Sequence, residues 1–242
     1  MDKIKIENLV IQFNGTPILS DFDLSVREGE FVTVLGHSGS GKTTLLNIIA
    51  GALKPDQGSV LVDQKPVEGI SDHVAYMPQD DLLLPWKNIL DNVTLYGRIN
   101  GNQAQASKEA LANMDAFGLQ GYEYRYPHQL SGGMRQRAAF LRTSLCGADT
   151  LLLDEPFASL DVITRGEMQK WLFKMKSRLN KTVLLVSHDI DEALLLSDRI
   201  IVISGQPSSI REEIIIDEGS RDEEWLTTIG EKKRDIIRLL GI

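Results

Sequence analysis

The stretch Gly36–Thr44 reads GHSGSGKTT and fits the pattern G-x-x-x-x-G-K-[ST], a loop that surrounds nucleotide phosphates with backbone N–H groups. The apolar run Phe31–Leu35 (FVTVL) before it predicts a strand buried on both faces of a parallel sheet. Lys42–Ala50 continues as a predicted helix that ends at Gly51. Because the motif has the strand, loop and helix that it requires, we favour a phosphate loop over a glycine-rich turn before an ordinary helix.

The loop residues suit phosphate chemistry. Glycines allow a tight turn and a close approach of the backbone to the ligand. The helix that begins near Lys42 directs its free N–H groups and the positive end of its dipole at the phosphates. We expect Lys42 to reach the β and γ phosphates of ATP and the Thr43 hydroxyl to hold Mg2+. The residues predicted to bind the nucleotide here are Gly36, Ser38, Gly39, Ser40, Gly41, Lys42, Thr43 and Thr44.

Two carboxylates follow a second apolar run. Leu151–Leu153 precedes Asp154 and Glu155, so both acids are predicted at the carboxyl end of a buried strand, where open α/β sheets bind ligands. We expect Asp154 to reach the metal through its water shell and Glu155 to polarise the attacking water. The alternative is a solvated strand end, which the apolar triplet and the following Pro156 disfavour.

Composition limits the class of protein. The chain has 242 residues, 42% hydrophobic and 25% charged, which is ordinary for a globular domain. A formal net charge of −8 argues against a general nucleic-acid partner, which needs a basic surface. The single Cys146 excludes an intrachain disulfide and suits a reducing compartment. We expect neither a secretory signal nor a membrane-spanning helix.

Alternating patterns complete the predicted fold. Period-two alternation on either side of Asn14-Gly15 predicts an N-terminal hairpin. Asn88 to about Phe117 has a helical pattern, with Gly97 and Gly101 as breaks. Buried strands alternate with helices after that, which predicts a doubly wound parallel sheet. The predicted later elements are strands Ser59–Val62, His73–Met77, Thr150–Leu153, Val183–Val186, Ile200–Ile203 and Ile210–Ile216, and helices Ser131–Cys146, Ile163–Leu179, Ile190–Leu196 and Glu231–Leu240.

The segment Leu130–Arg137 (LSGGMRQR) is a second predicted phosphate-binding segment in the same chain. Ser131, Gly132 and Gly133 at a helix start offer a hydroxyl and bare backbone N–H groups. A simple Ser-capped helix would explain Ser131 but not the two glycines. Together with LLLDEP shortly after it, this segment resembles the signature of the nucleotide-binding subunit of ATP-binding-cassette (ABC) machines.

That resemblance covers about Ile4 to Ile216 and implies a fold and a dimer. The implied fold is α/β: a P-loop NTPase with a mostly parallel core sheet, an N-terminal antiparallel β subdomain and an inserted helical subdomain. It implies one ABC ATPase domain over 1–242, with the core at 1–80 and 148–216, the helical subdomain at about 81–147 and a C-terminal extension at 217–242. It also implies a homodimer, in which Ser131, Gly132 and Gly133 cap the γ phosphate held by the partner's phosphate loop.

Several residues acquire roles only through the resemblance. Gln79 matches the glutamine that joins the metal site to the membrane partner, so the implied metal-site residues are Thr43, Gln79 and Asp154. Asp161, in Ser159-Leu160-Asp161, matches the loop that communicates across the dimer. His188 matches the histidine that contacts the γ phosphate, so the implied catalytic residues are Lys42, Glu155 and His188. Phe13 matches an aromatic that stacks on adenine, although its register with Ile11 is equally consistent with strand packing.

The apolar cluster Leu82–Trp86 is either helical-subdomain core or part of a groove, Gln79–Trp86, that receives a helix of a membrane subunit. The chain resembles ATPase subunits of the nitrate, sulfonate and taurine importer group in the segments LLPW, DEPFASLD and SHDIDEALLLSDRI. In shorter segments it resembles the subunits that import a pyrimidine precursor of thiamine. The resemblance implies a peripheral protein on the cytoplasmic side of the membrane, bound to transmembrane permease subunits and acting indirectly with a substrate-binding protein.

A soluble ABC ATPase in an assembly process is the alternative. A binding-only pseudo-ATPase is disfavoured, because Lys42, Asp154, Glu155 and His188 are all present.

Overall fold

The computed structural model of the chain describes residues 1–216, 221, 225 and 229–240. Strands and helices alternate along these residues. The strands are β1 (Asp2–Phe13), β2 (Thr16–Arg27), β3 (Phe31–Leu35), β4 (Gln57–Val62), β5 (Lys65–Pro66), β6 (Val74–Met77), β7 (Thr150–Asp154), β8 (Thr182–Ser187), β9 (Arg199–Ser204) and β10 (Ser209–Ile215). The helices are α1 (Lys42–Ile49), α2 (Ile89–Val93), α3 (Leu95–Ile99), α4 (Gln103–Asn113), α5 (Gly132–Ser144), α6 (Val162–Leu179), α7 (Ile190–Leu196) and α8 (Gly230–Leu240), with a 3-10 turn at Pro127–Gln129.

The larger sheet has the strand order β10-β9-β3-β8-β7-β6. All its neighbours run parallel except β10, which pairs antiparallel with β9. Every residue of β3, β7 and β8 is buried, which is why these strands read as continuous apolar runs rather than as alternating ones. The α/β class and the doubly wound parallel sheet are therefore confirmed, with strand ends within one or two residues of those predicted.

The smaller sheet is antiparallel and has the order β2-β1-β4-β5. Its hairpin turns at Asn14 and Gly15, whose φ angles of 51° and 79° are the left-handed pair that a tight hairpin needs. Residues such as Ile4 and Ile6 on β1 are buried, and α1 packs against β4 as well as against β7 and β8 of the larger sheet. The helix after the phosphate loop thus contacts both sheets.

The segment between β6 and β7 is helical, as the pattern predicts, but one predicted break is wrong. Gly97 lies inside α3, and a Cβ built on it would come within 2.3 Å of the Ala106 Cβ on α4. This glycine therefore permits two helices to approach closely. Gly101, with φ 75°, is the residue that interrupts the helical pattern.

The C-terminal elements agree with their predicted positions. β10 and α8 match the predicted strand and helix to within one residue at each end. The rest of the predicted extension 217–242 lies largely outside the described residues. Within the described ranges, no helix is both long and apolar enough to span a bilayer.

Two helical glycines give opposite predictions for stability. Gly97→Ala should lower the free energy of unfolding by about 1–3 kcal/mol, because the added methyl group overpacks the contact with α4. Gly166→Ala on α6 should raise it by about 0.5–1 kcal/mol, since a Cβ there meets no atom within 4 Å and alanine favours the helix. Urea unfolding of both variants measures this, and a stability loss at Gly97 no greater than at Gly166 would contradict the packing.

Candidate active site

The phosphate loop leaves β3 and is shaped by glycine geometry. Gly41 precedes α1 with φ 88°, and a Cβ on it would lie 2.8 Å from Ile18 Cγ2. Gly36 donates its N–H to the Ser187 carbonyl at 3.2 Å, which ties the start of the loop to the end of β8. The start of the loop is therefore held by the sheet, and its end leads directly into the N-terminus of α1.

Lys42 is held in place by the loop that it serves. Its ammonium is buried and donates to the Gly36 and His37 carbonyls at 2.9 and 2.8 Å. It also lies 3.3 Å from Glu155 Oε1. Burial lowers the pKa of Lys42, and the Glu155 carboxylate opposes that shift. The charge is thus compensated by carbonyls and one carboxylate, and it faces the region where phosphates would bind.

A buried hydroxyl in the loop fits a phosphate ligand. Ser40 Oγ is buried and finds no hydrogen-bond partner anywhere in the described part of the chain. A buried hydroxyl without a partner costs free energy, and a phosphate oxygen in the loop would accept a hydrogen bond from it. Ser38 and Gly39 are exposed beside it, and Thr44 is half-buried at the start of α1. The loop therefore has hydrogen-bond donors of the kind that a nucleotide phosphate requires.

Asp154 and Thr43 form the oxygen pair that the sequence predicted for Mg2+. Thr43 Oγ1 donates to Asp154 Oδ1 at 3.1 Å, and the Tyr76 hydroxyl donates to Asp154 Oδ2 at 2.8 Å. Burial raises the pKa of Asp154, while these two hydrogen bonds lower it. A hydroxyl and a carboxylate are hard oxygen donors of the type that Mg2+ selects. The described residues hold no cluster of three or more His, Cys, Asp or Glu for a metal, so phosphate and water oxygens would complete the ligand set.

Glu155 and His188 form a pair beside Lys42. His188 Nδ1 lies 2.8 Å from Glu155 Oε2, while the other carboxylate oxygen faces Lys42. Glu155 has a φ of 42°, which is uncommon for a residue with a side chain, and its N–H donates to the Val186 carbonyl at 3.0 Å. The chain thus turns sharply at the end of β7 and presents this carboxylate to the loop. The structure brings all three predicted catalytic residues together.

The signature segment begins α5 as predicted, and its main neighbours differ from those of the phosphate loop. Ser131 caps the helix by accepting the Met134 N–H at 3.3 Å and is exposed. Gly133 is buried, and a Cβ on it would lie 2.9 Å from Thr164 Cγ2 on α6. Gly133 therefore allows a close contact between α5 and α6. α5 packs mainly against α2, β6 and α6, whereas α1 packs against β4, β7 and β8.

Three other predicted site residues are exposed. Phe13 is 44% exposed at the end of β1, so its alternative role in strand packing is not supported. Gln79 is exposed two residues after β6 ends. Asp161 caps α6, where its carboxylate accepts the N–H groups of Ile163 and Thr164 at 3.1 Å.

The predicted docking segment divides between core and surface. Leu83 is buried in the cluster around α2 and α5, whereas Leu82 and Trp86 are 60% and 71% exposed. Leu83 therefore belongs to the core, whereas the docking groove stays a prediction that concerns the exposed Leu82 and Trp86. Arg142 on α5 holds this segment by donating to the Asp81 and Leu82 carbonyls at 2.6 and 2.8 Å. The exposed apolar side chains are thereby fixed to the signature helix.

Tyr76 is a functional residue that sequence reasoning missed. Its hydroxyl holds Asp154, and burial with this hydrogen bond raises the pKa of Tyr76. The strand register pairs Tyr76 with Leu152, two residues before Asp154. Only knowledge that β6 lies beside β7 could have identified it.

Known proteins resemble this chain over most of its length. A family model described as ABC transporter matches residues 19–158. The formylaminopyrimidine import ATP-binding protein ThiZ of Halalkalibacterium halodurans is 47% identical over 80% of this chain and 76% of its own. The taurine import ATP-binding protein TauB of Pseudomonas fluorescens is 39% identical over 91% of this chain and 85% of its own.

Solved structures agree with these relatives. CbiO1 of Clostridium perfringens, part of an ABC transporter complex, superimposes with a TM-score of 0.81 at 25% identity, over 100% of this chain and 99% of its own. The dimeric post-hydrolysis cassette MJ0796 with ADP and Pi gives a TM-score of 0.74 at 28% identity, over 89% and 100%. The resemblance drawn from the two phosphate motifs is confirmed: this chain belongs to the ABC transporter family, as an ATP-binding cassette that hydrolyses ATP.

Proposed function

We propose that this chain is the ATPase subunit of an importer for a small molecule, bound to permease subunits on the cytoplasmic side of the membrane. The observation that carries the catalytic part is the meeting of Lys42, Glu155 and His188 beside the phosphate loop, with Thr43 and Asp154 paired next to them. The relatives named as importer subunits support the transport part.

In this proposal the loop binds the ATP phosphates, and Lys42 exchanges its contact with Glu155 for the β and γ phosphates. Thr43, Gln79 and, through its water shell, Asp154 would hold Mg2+, which would neutralise charge on the phosphate oxygens. Glu155 orients the attacking water in line with the γ phosphate, and His188 contacts that phosphate. Phe13, exposed at the end of β1, stacks on adenine.

We further propose that two copies share their sites. The exposed Ser131, with Gly132 and Gly133, caps the γ phosphate bound to the partner's Lys42, and Asp161 lies at the same interface. ATP favours the closed dimer because only that state makes both sets of contacts, and loss of the γ phosphate removes this difference in affinity. The dimeric assembly of the MJ0796 cassette supports this arrangement.

The imported compound is proposed to be of the nitrate, sulfonate or taurine type, with a thiamine pyrimidine precursor as the narrower candidate. The similarity to the formylaminopyrimidine subunit supports the narrower candidate. A substrate-binding protein would act indirectly, through the permease.

Glu155→Gln should bind ATP normally and hydrolyse it at least ~100-fold more slowly, since the amide keeps the shape but cannot act as a base. Steady-state phosphate release and nucleotide binding measure the two effects. Glu212→Gln, on an exposed part of β10, is the matched control and should retain full turnover. Near-normal turnover in Glu155→Gln would contradict the assignment.

Leu82→Asp and Trp86→Asp should prevent co-purification with membrane subunits and leave the ATPase rate of the free chain within about twofold, because both side chains are exposed and apolar and lie outside the site. Ile70→Asp is the control, since Ile70 is 88% exposed in another part of the surface. Solely soluble partners for the unmodified chain would instead favour an assembly ATPase.

A further inference from the structure

A small cavity lies behind the catalytic pair. Its volume is about 10 Å³, and its lining includes Glu155 and His188 together with Arg165 and Glu192. Arg165 Nε and Glu192 Oε1 are buried, and neither finds a hydrogen-bond partner among the residues that the structure describes. A polar space of this size accommodates one water molecule, and a donor and an acceptor on its wall are what such a water needs.

Glu192 is connected to the backbone on both sides of His188. The Ser187 hydroxyl donates to Glu192 Oε2 and accepts the Asp189 N–H at 3.0 Å. Asp189 Oδ1 in turn caps α7 by accepting the Glu192 N–H at 3.1 Å. The two residues that flank His188 therefore both contact Glu192, Ser187 through the Glu192 side chain and Asp189 through the Glu192 N–H.

Arg165 is connected to the loop that the family resemblance places across the dimer. Its Nη2 donates to the Leu160 carbonyl at 3.0 Å and approaches the Ala158 carbonyl at 3.4 Å. The guanidinium thus holds the Ser159–Asp161 loop, and the same residue lines the cavity. Arg165 and Glu192 line the same cavity, so Arg165 connects it to the Ser159–Asp161 loop and Glu192 connects it to the backbone around His188.

Charge at the cavity favours a neutral acid. The pKa of Glu192 is raised to about 8, mainly by burial; the carboxylates of Asp189 and Glu155 contribute to this rise, and Ser187 and Arg165 oppose it. A neutral carboxyl at pH 7 can hold the Ser187 hydroxyl without placing a third negative charge beside Glu155 and Asp189. The charged and titratable groups that face Glu192 or line its cavity are Glu155, Arg165, His188 and Asp189.

We propose that Glu192 and Arg165, with one water molecule between them, form a polar link that positions His188 relative to the Ser159–Asp161 loop. Glu192 is a positioning residue, because it acts through Ser187 and Asp189 and does not touch the reacting atoms. The link rests on the proposed role of His188 in hydrolysis. Its consequence is that a displacement of the loop by a partner copy would move His188.

A double-mutant cycle tests the link. Glu192→Met and Arg165→Met should each lower kcat about tenfold, with the KM for ATP changed by less than about twofold, because His188 is misplaced while the phosphate loop is intact. The double variant should be no slower than the slower single variant, since both remove the same link. Glu167→Met, on an exposed part of α6, is the control. Losses that multiply in the double variant, or an unchanged kcat in either single variant, would overturn the proposal.

Glu192→Gln provides the conservative rescue and a second readout. The amide resembles the neutral acid, so kcat at pH 7 should be within about twofold of the unmodified chain, and the fall in kcat as pH rises through about 8 should disappear. The pKa of Glu192 in the fold lies above the ordinary glutamate value of 4.5, so ionisation favours the unfolded chain. The melting temperature should therefore decline between about pH 4.5 and 8 in the unmodified chain and not in Glu192→Gln.

Failure of this link is distinguishable from failure of the proposed function. His188→Ala should abolish most turnover if His188 acts in hydrolysis, whatever the role of Glu192. If His188→Ala is inactive and Glu192→Gln is as slow as Glu192→Met, the proposed site stands and the positioning link is overturned. Should Glu192→Met fail to fold, the pH profile of Glu192→Gln and the kcat of Arg165→Met still test whether the polar link exists.

Discussion

The register of three parallel strands is the constraint on which the site depends. Leu35 pairs with Ser187, and Val186 pairs with Asp154 on the other side of β8. The strands β3, β8 and β7 therefore end at nearly the same level, and the residues that follow them enter one region. A slip of one residue would turn the side chains of a strand to the opposite face and displace the residues that follow it, so the register of β3, β8 and β7 also sets the geometry of the active site.

Charge compensation explains why this edge is ready for ATP. Lys42 is buried against two carbonyls of its own loop and one carboxylate, and Asp154 is buried against two hydroxyl donors. These groups are held in position before the nucleotide arrives, so little reorganisation is needed when phosphates replace the internal contacts. The Ser40 hydroxyl, which finds no partner among the described residues, is the converse case, a donor that a phosphate oxygen would satisfy.

The fold and the loop chemistry could be predicted because both depend on local sequence. The apolar run Phe31–Leu35 before a glycine loop predicts β3, and three leucines before Asp154 predict β7. The contacts that escaped prediction join different elements of the fold: Gly97 against Ala106, Tyr76 against Asp154, and Arg165 and Glu192 around one cavity. These depend on strand order and helix packing, which residue spacing does not encode. The division of Leu82–Trp86 into a buried Leu83 and an exposed Trp86 has the same origin.

The central claim is that Lys42 of one copy and Ser131 of another complete one ATP site. Lys42→Ala and Ser131→Arg should each be inactive alone, because every site in either homodimer lacks one of the two groups. Mixed at equal amounts and saturating ATP, they should recover about a quarter of the unmodified ATPase rate, since half of the dimers are mixed and each mixed dimer has one intact site. Recovery of this kind requires shared sites. A mixture as inactive as its components, at concentrations where the unmodified chain is fully active, would contradict the account.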